Sequence, residues 1–210
     1  MLFRLAPEVL VLLLPSLLFA LCFHEFSHAW MAHRLGDSTA ERMGRLTLNP
    51  LAHLDPMGAL MILFVGFGWA KPVPVDPRYF RDPRKGMMMV AFAGPASNLI
   101  LAFISGLMIR TIYIFDLNPG EAIYNLLFFF TYINIALAAF NMIPLPPLDG
   151  SQILAGVLGP KNPELVHTLQ RHGPMILLGL IVFGYMTNIR IIWWIIGPIV
   201  NGFLYIFAGL

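Results

Sequence analysis

His24-Glu25-Phe26-Ser27-His28 has the residue types and spacing of a metal-dependent hydrolase. Residues four apart share one face of an α-helix, so His24 and His28 can hold one metal ion through two imidazoles. Glu25 stands beside them, placed to act as general base on a water activated by that ion. So short a motif recurs by chance, and its setting is more telling. Upstream, Val9 to Cys22 is almost entirely apolar. A carboxylate and two histidines at the end of such a run are costly in lipid and point to a functional site. The plain alternative is a structural His/Glu cluster packed between helices.

The composition agrees with a membrane setting. The 210 residues are 58% hydrophobic and only 11% charged, with a mean hydropathy of +0.76. A soluble domain is about one quarter charged. The expectation is an all-α polytopic membrane protein in the lipid bilayer, a bundle of about five to six transmembrane helices with a short re-entrant or edge-strand segment. It is read as one domain over residues 1–210, with a core at about 8–155 and C-terminal helices at about 174–208. A net charge of +2 is too weak to suggest nucleic acid. The single cysteine, Cys22, excludes an internal disulfide and reads as a small packing residue. No cleavable signal is expected, because the first apolar run continues into the helix that carries the histidines.

In chain order, the first span runs from about Pro7 to His33, with Pro15 inside it and Gly36-Asp37 as its stop. Arg34 to Pro56 is polar and holds the turn signals Asn49-Pro50 and Asp55-Pro56. His53 lies here and reads as a hydrogen-bonding loop histidine, since nothing near it has ligand spacing. Met57 to Phe67 is apolar but short for a span, which favours a re-entrant or interfacial segment. Trp69-Ala70-Lys71-Pro72-Val73-Pro74-Val75-Asp76-Pro77 suits an extended edge strand, whose Lys71–Val75 part could pair with an unwound substrate or be a surface loop. A second span covers about Met87 to Phe115, interrupted at Gly94-Pro95-Ala96-Ser97-Asn98, where Asn98 should hydrogen-bond across helices. A third covers about Ala122 to Ile143 and stops in a proline cluster. Lys161 to Gly173 reads as a polar loop, and apolar runs at Pro174–Met186 and Ile191–Ala208 close the chain; the first is short for a span, so the alternative is one tight hairpin or a poorly spanning element. Of 13 Lys and Arg, ten fall on one face if the 34–85 segment returns to the side it left; Arg4, Arg110 and Arg190 remain. That bias puts the N-terminus outside, the 34–85 segment in the cytoplasm, and His24 and His28 near the inner end of their helix.

These motifs resemble the site-2 proteases, intramembrane zinc metalloproteases with H-E-x-x-H in one membrane helix and an N-x-x-P-x-x-x-x-D-G type motif in a later one. Here the second reads Asn141-Met142-Ile143-Pro144-Leu145-Pro146-Pro147-Leu148-Asp149-Gly150. Gly94-Pro95-Ala96-Ser97-Asn98 also matches, as does Asn49-Pro50-Leu51-Ala52-His53-Leu54-Asp55-Pro56, typical of short members. The resemblance spans about residues 20 to 155. It implies that His24, His28 and Asp149 ligate one Zn2+, that Glu25 is the catalytic base, and that Asn141 helps hold substrate or the tetrahedral intermediate. It implies a transmembrane segment of another membrane protein as substrate, cleaved in the cell membrane with the active site toward the cytoplasm. No connection is long enough for a PDZ or CBS domain.

Depth also favours Asp149 as the third ligand, since it alone ends an apolar span at the depth of the two histidines. His33 is five residues past His28 and faces elsewhere. Glu8, Asp116 and Glu121 fall at the opposite membrane face. Asp37, Glu41, Asp55, Asp76, Asp82 and Glu164 sit in expected water-exposed loops that can in principle fold back, so they remain alternatives. Two other functions compete: a membrane metal transporter or channel, and an inactive scaffold of the same fold. A transporter needs ionisable groups at several depths, whereas these gather at one.

Overall fold

Long apolar runs become long helices in the computed structural model, which describes residues 6–65, 68–187 and 189–210. Helix α1 (Pro7–Arg34) opens with proline in its first turn, where a missing N–H costs nothing, and ends as Gly36 takes a positive φ of 107°. Two short helices follow, α2 (Thr39–Arg42) and α3 (Pro50–His53), the latter capped by the Asn49 side chain. Helix α4 (Pro56–Val65) has its first turn closed by Asp55, which accepts from the Gly58 N–H. After a 3₁₀ turn at Pro77–Tyr79, Asp82 caps α5 (Pro83–Ile114). Then come α6 (Glu121–Asn141), α7 (Asp149–Leu158), α8 (Pro163–Thr187) and α9 (Ile191–Ala208).

Among the described residues, four stretches are long and apolar enough to cross a membrane: Val9–Arg34, Pro83–Ile114, Glu121–Asn141 and Ile191–Ala208. The expected count of five to six falls short at α8. Only its half beyond Pro174 is apolar, too little for about 30 Å of hydrocarbon. No strand forms among the described residues. The expected edge segment makes one isolated antiparallel bridge, Leu54 to Ala70, extended by the Lys71 N–H donating to the His53 carbonyl.

Three further expectations change. Gly94-Pro95 does not interrupt α5, which stays helical through both. The loop expected at Lys161–Gly173 is helical from Pro163 onward, with Asn162 accepting from the Leu165 N–H as a cap. Asp37 is fully buried rather than water-exposed. The readings that involve Arg4, Phe67 and Asn188 lie outside the described residues.

Helix α5 packs against α1, α6, α7 and α9. It can do so because most of its buried residues are small: Gly86, Ala91, Ala93, Gly94, Ala102, Ser105 and Gly106 among them. Small residues let backbones approach where lipid removes the hydrophobic drive. Between α5, α6 and α9 the core is Ala102, Ile135, Ala139, Ile196, Val200 and Leu204. Polar pairs such as Thr131 with Ser105 (2.7 Å) tie α6 to α5.

Candidate metal centre

Every fourth residue of α1 from Ala20 to Ala32 is buried: Ala20, His24, His28 and Ala32. Opposite lies a second stripe of the same period on α5, Val90, Gly94 and Asn98, all buried. The two stripes mesh. The His28 Nδ1–H donates to the Val90 carbonyl (2.7 Å), and the His24 Nδ1–H donates to Oδ1 of Asn98 (2.6 Å). Both acceptors carry no proton on the facing atom, so each ring has its Nε2 lone pair free. Gly94 leaves room between them. A Cβ there would come within 2.5 Å of His28 Nε2 and 2.6 Å of His24 Cε1.

Asp149 reaches this point from another element. It is the first residue of α7, delivered by a segment with prolines at 144, 146 and 147. Gly150 lets that segment close on itself, since a Cβ would collide with the Met142 carbonyl and lie 2.7 Å from that of Ile143. Oδ2 of Asp149 stands 3.1 Å from His24 Nε2 and 3.3 Å from His28 Nε2, while the two Nε2 atoms are 3.0 Å apart. That oxygen is buried and receives no hydrogen bond. Three potential lone-pair donors thus converge on one point, an arrangement that a shared cation relieves. Two imidazoles and a carboxylate are donors suited to zinc, and the set leaves a fourth position open.

The other candidates fall elsewhere. Glu25 is buried next to His24 on α1. Asn141 ends α6, half-buried, and spends its Nδ2 on the Leu137 carbonyl (3.0 Å); it does not join the cluster. His53 is buried in α3 with Nε2 on the Thr47 carbonyl. His33 pairs with Glu41 at 3.3 Å. Asp37, Asp55, Asp76 and Asp82 all accept from backbone N–H groups. The Arg78 guanidinium, hydrogen-bonded to Asp76, holds that carboxyl below its ordinary range. Among the described residues, His24, His28 and Asp149 form the one group of three that could hold a metal ion. Val90 escaped the sequence reading and Gly94 entered it only as part of a motif, whereas Asn98 does hydrogen-bond across helices as expected, to α1 and α6. The four-residue spacing of 90, 94 and 98 was the available signal.

A membrane-helix bundle with such a donor set defines a class, membrane proteins with a site suited to zinc, and comparison with known proteins is more specific. The model of peptidase family M50 matches residues 111–180, which include Asn141 and Asp149. "Putative zinc metalloprotease YwhC" of Bacillus subtilis is 41% identical over 174 residues, covering 81% of this chain and 80% of that one. "Putative zinc metalloprotease Rip2" of Mycolicibacterium smegmatis is 30% identical over 180 residues, 83% of this chain and 68% of that one. "Zinc metalloprotease MJ0392" of Methanocaldococcus jannaschii is 26% identical, with 82% and 44% covered. No solved structure matches the chain. The chain belongs to peptidase family M50, the site-2 proteases, and is a zinc-dependent metalloprotease.

Proposed function

We propose that the chain is a single intramembrane protease domain over residues 1–210. In this reading it hydrolyses peptide bonds within or near transmembrane segments of other membrane proteins, in the cell membrane, from a site that opens to the cytoplasm. The observation that carries the reading is the donor cluster itself, built inside apolar helices with His24 and His28 buried.

His24, His28 and Asp149 would hold the zinc through Nε2, Nε2 and a carboxylate oxygen. When bound, zinc supplies Lewis acidity, which makes water nucleophilic near neutral pH and polarises the scissile carbonyl. Glu25 takes the proton of the attacking water and hands it to the leaving amine. The contacts from Asn98 and Val90 keep both rings turned with Nε2 inward. Asn141 holds the substrate backbone in place. A helical substrate hides its peptide bonds in its own hydrogen bonds, so it must unwind locally before attack.

Two variants of purified protein test this on a single-span membrane substrate. Glu25→Gln should retain zinc and the fold while cleavage drops roughly 100- to 10,000-fold. Asp149→Asn should lose zinc and cleavage together, because a neutral amide is a much poorer ligand. Cleavage that persists in Glu25→Gln, or full zinc occupancy with normal activity in Asp149→Asn, overturns the assignment. Uptake of metal into vesicles without any cleavage would favour a transporter instead.

A further inference from the structure

We propose that Asn134 of α6, which touches neither metal nor substrate, is a positioning residue that sets which nitrogen of His24 is offered to zinc. The inference rests on His24 being a ligand.

It starts from two fully buried asparagines on adjacent helices. Nδ2 of Asn134 donates to the Phe130 carbonyl one turn back (2.8 Å). A carbonyl only accepts, so the Asn134 amide must turn its Oδ1 the other way, toward α5. There it accepts from Nδ2 of Asn98 (2.9 Å). The second hydrogen of that Nδ2 goes to the Ala20 carbonyl of α1 (3.0 Å). With both hydrogens of Asn98 engaged, Oδ1 is the atom that meets His24 Nδ1 at 2.6 Å. An acceptor at Nδ1 requires the proton there and leaves Nε2 bare. The relay runs from Phe130 through Asn134 and Asn98 to His24. A flip of Asn98 would set oxygen against oxygen at both Ala20 and Asn134. Groups that orient a ligating imidazole in this way are worth about 10- to 100-fold in metal affinity.

Asn134→Leu removes the acceptor for Asn98. Asn134→Ser is a milder second variant. Its hydroxyl can still bond back to the Phe130 carbonyl but is too short to reach Asn98. Zinc affinity is measured on metal-free protein by competition with a chelator. The His24 tautomer is read from imidazole 15N shifts with the ring neutral. Both variants should bind zinc about tenfold or more weakly and show His24 as a mixture of tautomers. Thr131→Val breaks another buried α5–α6 hydrogen bond and should change neither readout. The inference is overturned if the variants keep zinc affinity within twofold and a single Nδ1–H tautomer. An equal loss in Thr131→Val overturns it too, as a general packing effect. His24→Ala separates the two readings. If it retains full zinc affinity, the ligand assignment fails and the relay with it.

Discussion

At the residue scale the centre depends as much on an absent side chain as on those present. Gly94 lies in the middle of α5, where alanine would be favoured by about 1 kcal/mol on helix propensity alone. The site opposes that preference, because a Cβ there would push into both imidazoles. Gly94→Ala should therefore leave helicity intact or raised while it weakens zinc. Overpacking costs about 1–3 kcal/mol, roughly 5- to 150-fold in affinity. Circular dichroism and chelator competition on the purified variant separate the two effects, and unchanged zinc affinity would show that the rings can yield. The sequence already pointed to His24, His28 and Asp149, since motif spacing and depth in the membrane are local properties. The partners on α5 were not legible in the same way. Which carbonyl or amide meets a ring depends on the relative rotation of two helices, and only their shared period of four hinted at it.

At the element scale, apolar length predicted α1, α5, α6 and α9 well and α8 poorly. The polar half of α8 carries Glu164, His167, Gln170, Arg171 and His172, which read as a loop when hydropathy leads. Yet Asn162-Pro163 is a legible start signal, a cap followed by proline in the first turn. Pro95 misled in the opposite sense. It removes one bond of the α5 ladder, but packing on four neighbouring helices keeps that helix whole. The segment between α1 and α5 is held by Asp37, whose carboxylate accepts from the Thr39 N–H (2.9 Å) and from the distant Asp76 N–H (2.7 Å). Arg45, also buried, donates to the Lys71 carbonyl at 2.5 Å. Asp37→Ala would orphan two backbone donors, at about 1–3 kcal/mol each where water is excluded. Amide exchange should speed up at Thr39 and Asp76 and stay unchanged in the α5–α6 core. Equal protection in the variant would mean that the segment is held by other contacts.

At the scale of the whole molecule, the placement of the charges bears on orientation across the bilayer. His28 and His24 stand six and ten residues from the basic end of α1, about 9 and 15 Å along the axis, against about 25 Å from His24 to Pro7 at the other end, so the centre lies nearer the basic end. That end carries Arg34, Arg42, Arg45, Lys71, Arg78, Arg81, Arg84 and Lys85, and the turn between α5 and α6 at the opposite end carries Asp116. Short basic segments stay in the cytoplasm, so the centre should face it. The cysteine count makes this simple to measure. Cys22 is the single cysteine, 4% exposed, with its thiol on the Leu48 carbonyl, and gives little background labelling. Asn118, in the turn between α5 and α6, and Glu164, in the first turn of α8, are both exposed. In intact cells a membrane-impermeant maleimide should label Asn118→Cys and spare Glu164→Cys. After permeabilisation both should react. The reverse pattern would put the zinc centre on the outer side and require substrates to be cut from there. Labelling of both in intact cells would mean that the two turns share one face, which is incompatible with α6 crossing the membrane.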